Sequence, residues 1–261
     1  MTASPLRAAM EAAVGPRTAA LLPVHLYGQL APMDEVQKIA ARNGLAVIED
    51  AAQAQGATRH GAGIGSGSTA AATSFYPGKN LGAFGDAGAV VTDDESFARR
   101  VRLLGNHGSE QKYVHESLGF NSRLDTLQAV VLSAKLRRLE RWNAARRRIA
   151  DRYLELLRPA ALGLPSTDAG NVHVWHLFVV RALDGRRGEL MEALAARGVQ
   201  TGIHYPVPVH LQPAYADWGL SRGSFPHAEA AADEIFSLPM HPTLTDEAQD
   251  RVVAALLEAL G

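Results

Sequence analysis

"SFYPGKNLGAFGDAGAVV", residues 74–91, sets a lysine among glycines just beyond an apolar run. The chain has only four lysines against twenty-two arginines, so a lysine on a tight turn needs a reason. Most turn lysines are solvated surface charges. Three features point elsewhere for Lys79. The run before it, "AAATSFYP" (70–77), reads as a buried strand, and Ser74 and Tyr76 are polar interruptions of it. Gly82, Gly85 and Gly88 let the backbone approach something closely. An amine beside low-dielectric walls loses proton affinity and becomes a nucleophile, as a carbonyl cofactor forming a Schiff base requires. A nucleotide phosphate loop is excluded: it needs glycine at Thr73 and a hydroxyl residue at Asn80.

Upstream, "AALLPVHLYG" (19–28) reads as a buried strand and "APMDEVQKIAARNG" (31–44) as a helix stopped by Gly44. "LAVIED" (45–50) is a second strand ending in two acids. Downstream, "AGAVVTDD" (87–94) reads as a fourth strand and 95–108 as a helix. Strands alternating with helices indicate an α/β protein with a parallel sheet, whose ligands gather beyond the carboxyl ends of the strands. Asp50 and Lys79 both fall there. An ionised carboxylate near the lysine is what keeps the ring nitrogen of pyridoxal phosphate protonated; position alone suits Asp50 equally well as a turn or helix cap. Residues 122–159 read as a long helical stretch ended by proline. The rhythm then changes: a strand (172–183), a helix (186–198), a proline-punctuated stretch (203–215) and helices over 227–239 and 245–260, the last capped by Thr245. This places a domain boundary near 158: residues 1–158 form the cofactor-binding portion and 159–261 a small α+β domain.

The 261 residues carry a net charge of −1, with 47% apolar residues and no cysteine. Nucleic-acid binding, disulfides and thiolate metal sites are excluded, and a soluble cytoplasmic protein is expected. The ten histidines show no paired metal spacing, so no metal is expected. His173 and His176 are expected on opposite faces of one strand. The glycines of 61–68 lack the spacing of a dinucleotide fingerprint. The basic run 137–148 interleaves with acids and apolar residues, as a solvated helix face does.

"VIEDAAQAQGA" (47–57), "SFYPGKNLGAFGDAGAVVT" (74–92), "GFNSRLDTLQAVVLSAKL" (119–136) and "GIHYPVPVHLQPAY" (202–215) together resemble, in order and spacing, the DegT/DnrJ/StrS nucleotide-sugar aminotransferases. The "FYPGKNLG" variant is most similar to members making 3-amino-3,6-dideoxyhexoses on a dTDP carrier. The resemblance implies the fold-type I architecture of pyridoxal 5'-phosphate enzymes and a homodimer with shared active sites. It implies ping-pong transfer of an amino group from L-glutamate to a keto-sugar nucleotide, such as a dTDP-3-keto-6-deoxyhexose, through pyridoxamine 5'-phosphate. By position, Lys79 resembles the Schiff-base lysine and proton shuttle, and Asp50 the partner of the pyridine nitrogen. Gln53 matches a residue near the cofactor ring. Ser74 matches a phosphate contact, and Asn121 the asparagine that reaches the other subunit's cofactor phosphate. Tyr76, His204 and His210 fall where the family holds the sugar.

The family has roughly one hundred residues before the point where this chain starts, including a turn that binds the cofactor phosphate at a helix N-terminus. The expectation is therefore a partial large domain, explained by an upstream start, a second polypeptide or a remnant. The alternative function is a non-catalytic paralogue acting as an interaction partner or an inactive remnant.

Overall fold

The computed structural model describes residues 5–261, which fall into two compact units. The first comprises residues up to Asn143 together with Thr167–His176. It begins with α1 (Pro5–Ala13), β1 (Ala20–Leu21), α2 (Met33–Asn43) and β2 (Ala46–Asp50). A small hairpin, β3 (Thr58–Arg59) and β4 (Ala62–Gly63), leads to β5 (Ala70–Ser74) and β6 (Gly88–Val91). Helices α3 (Glu95–Gly105) and α4 (Thr126–Leu136) follow, then α5 (Leu139–Leu156), which begins in this unit; β7 (Asn171–Val172) pairs with β3.

The main sheet has the order β1-β2-β5-β6. β1, β2 and β5 run parallel, with Asp50 in register with Ala72, but β6 is antiparallel to β5. The connection explains this. A parallel neighbour needs a crossover of a dozen or more residues, usually helical. Residues 75–87 instead fold back on themselves: Phe75 N–H donates to Ala87 O at 2.7 Å and Ala83 N–H to Phe75 O at 2.7 Å.

Helix α2 packs Met33, Val36 and Ala40 against Val47 of β2, at the spacing of one helical face, and stops at Gly44 in the left-handed region (φ 64°). The first expected strand is shorter than read. Pro23 removes a ladder donor, the strand is confined to Ala20–Leu21 with one further bridge from Val24 to Asp50, and Leu22 and Val24 are exposed rather than buried. The long helical stretch is two helices, parted at Arg137–Arg138. The strand expected over 172–183 is interrupted by Trp175 at φ 46°, so His173 and His176 do not alternate on one strand.

The second unit comprises residues 144–166 and 177–261. β8 (Phe178–Arg181), α6 (Arg187–Ala196), α7 (Pro226–Glu234), β9 (Ile235–Leu238) and α8 (Asp246–Leu260) build it, with β8 and β9 antiparallel. Its core holds Tyr153, Phe178, Leu190, Leu194, Phe236 and Leu256. The Tyr153 hydroxyl donates to Pro239 O at 3.1 Å, and Thr245 caps α8 by accepting from Ala248 N–H at 3.2 Å. The helix expected over 227–239 ends at Glu234, and its tail is β9, buried at all four residues.

Among the described residues, no helix is long and apolar enough to cross a membrane, and no cluster of three metal-ligating side chains occurs.

Candidate active site

Asp50 ends β2 and Lys79 lies five residues beyond the end of β5, so the parallel pairing of these strands brings carboxylate and amine to one end of the sheet. The Lys79 turn is closed by its own N–H, which donates to Tyr76 O at 2.9 Å. The amine is half-buried. Burial pushes its pKa down, the charge of Asp50 pushes it back up, and the net result is below the ordinary lysine value.

Asp50 caps its own turn and also acts electrostatically on Lys79. Its Oδ1 accepts from Ala52 N–H at 3.0 Å, which is the local turn cap, while its charge acts on Lys79. The backbone beneath is locked: Asp50 N–H donates to Pro23 O at 2.9 Å and Asp50 O accepts from His25 N–H at 3.0 Å.

Ser74 is the last residue of β5. Its Oγ accepts from Tyr76 N–H at 3.2 Å and its carbonyl accepts from Gln55 Nε2 at 2.8 Å. Asp50 and Ser74 both line a cleft of about 350 Å³ with Leu22, Ile48, Glu49, Ala52, Ala72 and Thr73; Lys79 is not part of its wall. Gln53 is buried, with Oε1 accepting from Tyr27 N–H at 2.6 Å. Tyr76 is 57% exposed beside the turn. Asn121 stands apart in the exposed 106–124 segment, bridged to Asn106, its Oδ1 accepting from Arg123 Nε at 3.1 Å.

The two histidines lie in the second unit. His204 is half-buried, its Nδ1 2.9 Å from Ser237 Oγ. His210 is buried, its Nε2 2.9 Å from Glu229 Oε1 and its ring edge-on to Phe225 at 4.8 Å. Glu229 also accepts from Gly223 N–H at 2.7 Å and Phe225 N–H at 3.0 Å. These bonds hold its carboxyl below the usual range, the Gly223 N–H first among them.

The glycines after Lys79 have a different use from the one expected. Gly82 makes its close approach to the turn itself: a Cβ there would lie 2.3 Å from Pro77 O. Gly88 crowds Thr73 O in the same way at 2.9 Å, while the nearest atom to a Cβ at Gly85 is Gln128 Nε2 at 3.5 Å.

Several residues that shape the site have no clear signal in the sequence. From α4, Lys135 Nζ donates to Gly82 O at 2.6 Å and Gln128 Oε1 accepts from Phe84 N–H at 2.8 Å. Under the sheet, Glu49 is buried against His25, Oε2 to Nε2 at 2.9 Å, and accepts from Gly65 N–H at 2.8 Å. Burial alone would raise the Glu49 pKa; the His25 and Gly65 bonds outweigh it and hold it below the usual range. Alternation along β2 gives the reason for Glu49 and Asp50 differing: one points under the sheet and the next does not.

The donor set fits pyridoxal phosphate. A half-buried amine of lowered basicity lies within the electrostatic reach of the Asp50 carboxylate, and the Asp50–Ser74 cleft opens at the same strand ends.

The model of the DegT/DnrJ/EryC1/StrS aminotransferase family matches residues 2–257. The erythromycin biosynthesis sensory transduction protein EryC1 of Saccharopolyspora erythraea is 56% identical over 250 residues, covering 95% of this chain and 68% of that protein. The dTDP-3-amino-3,4,6-trideoxy-alpha-D-glucose transaminase of Streptomyces venezuelae is 53% identical, covering 95% of this chain and 65% of its own length. The crystal structure of S. venezuelae DesV in complex with a ketimine intermediate superposes with a TM-score of 0.92 at 52% identity, over 97% of this chain and 68% of that one. The chain thus spans about two thirds of the length of the relatives it matches. With the fold, the sheet-end amine and carboxylate and the match along nearly its whole length, the chain belongs to the DegT/DnrJ/EryC1/StrS aminotransferase family.

Proposed function

We propose that this protein transfers an amino group from L-glutamate to a keto-sugar carried on a nucleoside diphosphate, a dTDP-3-keto-6-deoxyhexose, in deoxyaminosugar biosynthesis. Pyridoxal 5'-phosphate is its cofactor and Lys79 the residue that tethers it. The observation that carries this is the half-buried Lys79 amine under the charge of Asp50.

The cofactor supplies a carbonyl that takes up and passes on the amino group, and a ring that draws off electrons. The protein's own residues do the rest. Lys79 Nζ, its proton affinity lowered by burial, would carry a proton between the amino-acid α-carbon and the carbon that was the cofactor's carbonyl. The Asp50 carboxylate keeps a cationic ring nitrogen protonated. Gln53 packs near the ring, Ser74 Oγ offers a hydroxyl to the phosphate, and Asn121 reaches the phosphate of a partner subunit. Tyr76 and His204 are offered to the sugar; His210, buried on Glu229, braces the loop that bears it.

A homodimer agrees with the exposed apolar residues Leu118, Phe120, Leu124, Leu127 and Val130 at and before α4. Sedimentation of the purified chain tests it. The cytoplasm, where disulfides are rare, is the compartment this reading assigns to a cysteine-free chain.

A second reading, a non-catalytic interaction partner, is favoured by the name of the EryC1 relative, a sensory transduction protein. One experiment separates the two. Purified chain is mixed with pyridoxal phosphate, reduced with borohydride and digested. A label fixed on Lys79, absent in Lys79→Ala, together with glutamate-dependent amination of a dTDP-keto-sugar that falls about 10²–10⁴-fold in that variant, supports the enzyme. No label on Lys79 supports the partner.

A further inference from the structure

Asn143 is fully buried in α5, where asparagine has low helix propensity and a polar side chain must be paired. Its amide is used on both sides. Oδ1 accepts from Asn80 Nδ2 at 2.9 Å, and Nδ2 donates to Gln55 O at 2.9 Å. Opposite it, Gly56 has φ 86° and no room for a side chain: a Cβ would lie 2.8 Å from Asn143 Nδ2.

The two neighbours of Asn143 lead to the two charged groups of the site. Asn80 follows Lys79 directly and is 5% exposed. Its Nδ2 also donates to Val174 O at 2.8 Å, and its Oδ1 lies 3.2 Å from His176 Nδ1, which donates to it. Gln55 is 4% exposed, and its Nε2 donates to Ala52 O, Thr73 Oγ1 and Ser74 O at 2.8–3.0 Å. Ala52 N–H in turn donates to Asp50 Oδ1. An unbroken line of hydrogen bonds therefore runs from the Asp50 carboxylate through Ala52, Gln55 and Asn143 to the residue beside Lys79. Buried amides are costly when unpaired, so the paired groups of this line, all but the Gln55 side-chain oxygen, hold their neighbours in one geometry.

We propose that Asn143 is a positioning residue that, through Gln55 and Asn80, fixes where the Lys79 amine stands relative to the Asp50 carboxylate. The inference rests on the reading of Lys79 as the cofactor amine. Asn143 touches neither charged group. It acts by holding the Lys79 turn against the strand ends, which keeps water from the amine and the carboxylate within range. Asp50 is the charged group that acts on that amine, and His176 is the titratable group bonded into the line.

The test uses the whole chain without cofactor. Trace acetic anhydride labels its lysines at a series of pH values, and mass spectrometry reads each one. Exposed Lys38 and Lys112 are references in the same tube. In the native protein Lys79 reacts with a midpoint below theirs. In Asn143→Leu the loosened turn admits water, and the Lys79 midpoint moves toward the two references. Once loaded with cofactor, the variant loses about tenfold or more in kcat with KM little changed, as misplacement of a reacting group does. A folded Asn143→Leu with the native Lys79 midpoint overturns the proposal, since a purely structural residue changes the unfolding midpoint and not the amine. Should Asn143→Leu fail to fold, Asn143→Ala, which removes both bonds and adds no charge, decides on the same readout. Failure of native Lys79 to take a borohydride-fixed label from pyridoxal phosphate sinks the functional reading separately, and leaves the labelling midpoints to judge the positioning.

Discussion

The Asp50 carboxylate and the Lys79 amine stand at the same end of one parallel strand pair, and the charge of Asp50 works against the desolvation of Lys79. Removing that charge leaves the desolvation unopposed. In Asp50→Asn the pH midpoint for Lys79 labelling therefore falls further, away from Lys38 and Lys112. The loaded variant still holds cofactor on Lys79 but loses on the order of 10²-fold or more in kcat. An unchanged or rising midpoint would show that the charge of Asp50 does not hold the amine's proton affinity up.

Gly82 touches the carbonyl of Pro77, two residues before Lys79, with no space for a methyl group. Gly82→Ala must displace the turn or the segment pinned by Lys135 and Gln128. Titration with pyridoxal phosphate, followed by absorbance, is expected to show about tenfold or greater loss of apparent affinity. Gly188→Ala, in α6 with nothing within 4 Å of the added carbon, is the control and binds as the native chain does.

His25 and Glu49 are a buried pair, 1% exposed each. His25→Leu leaves the Glu49 carboxylate with fewer partners in the same dry place. The expected cost is about 3–5 kcal/mol, read as a lower urea midpoint at neutral pH. The folded pKa of Glu49 lies below the ordinary carboxylate value, so its contribution is present above that value and disappears as pH falls through the folded one. Without His25 the loss begins at higher pH.

His173 is buried and stacked on Trp175 at 3.8 Å, with Nδ1 accepting from Trp175 N–H at 2.9 Å. Burial pushes its pKa from 6.5 down to about 3. The unfolded chain takes up this proton first, so stability falls as pH drops from about 6.5 toward about 3. His173→Asn keeps an acceptor for Trp175 N–H and cannot charge. Melting temperatures measured across that window should decline less steeply in the variant. An identical slope means His173 carries its proton in the folded state.

What the chain alone discloses follows from the range of the forces involved. Helix α2 and its Gly44 stop, strands β2 and β5, and the Thr245 cap are local, and each is written within a few neighbouring residues. Asp50 and Lys79 could be picked out because one ends an apolar strand and the other closely follows one. The reversal of β6 was not, because a closed loop and a crossover look alike over thirteen residues. β9 was hidden because "IFSL" continues the apolar face of an alanine-rich helix, and only pairing with β8 decides its state. Asn143 was the least visible. In "RWNAARRR" it reads as one more polar residue of a solvated face, and its partners are 63 and 88 residues away.

β6 is the last strand of the main sheet, and all four of its residues are exposed, Val90 and Val91 at 40% and 42%. Its outer backbone donors and acceptors meet no strand among the described residues. Backbone groups recognise any extended segment whatever its side chains, so the grip of this edge is set by local concentration rather than by sequence. The strength of association there is accordingly a property of dilution: a segment tethered nearby is held far longer than the same segment free in solution.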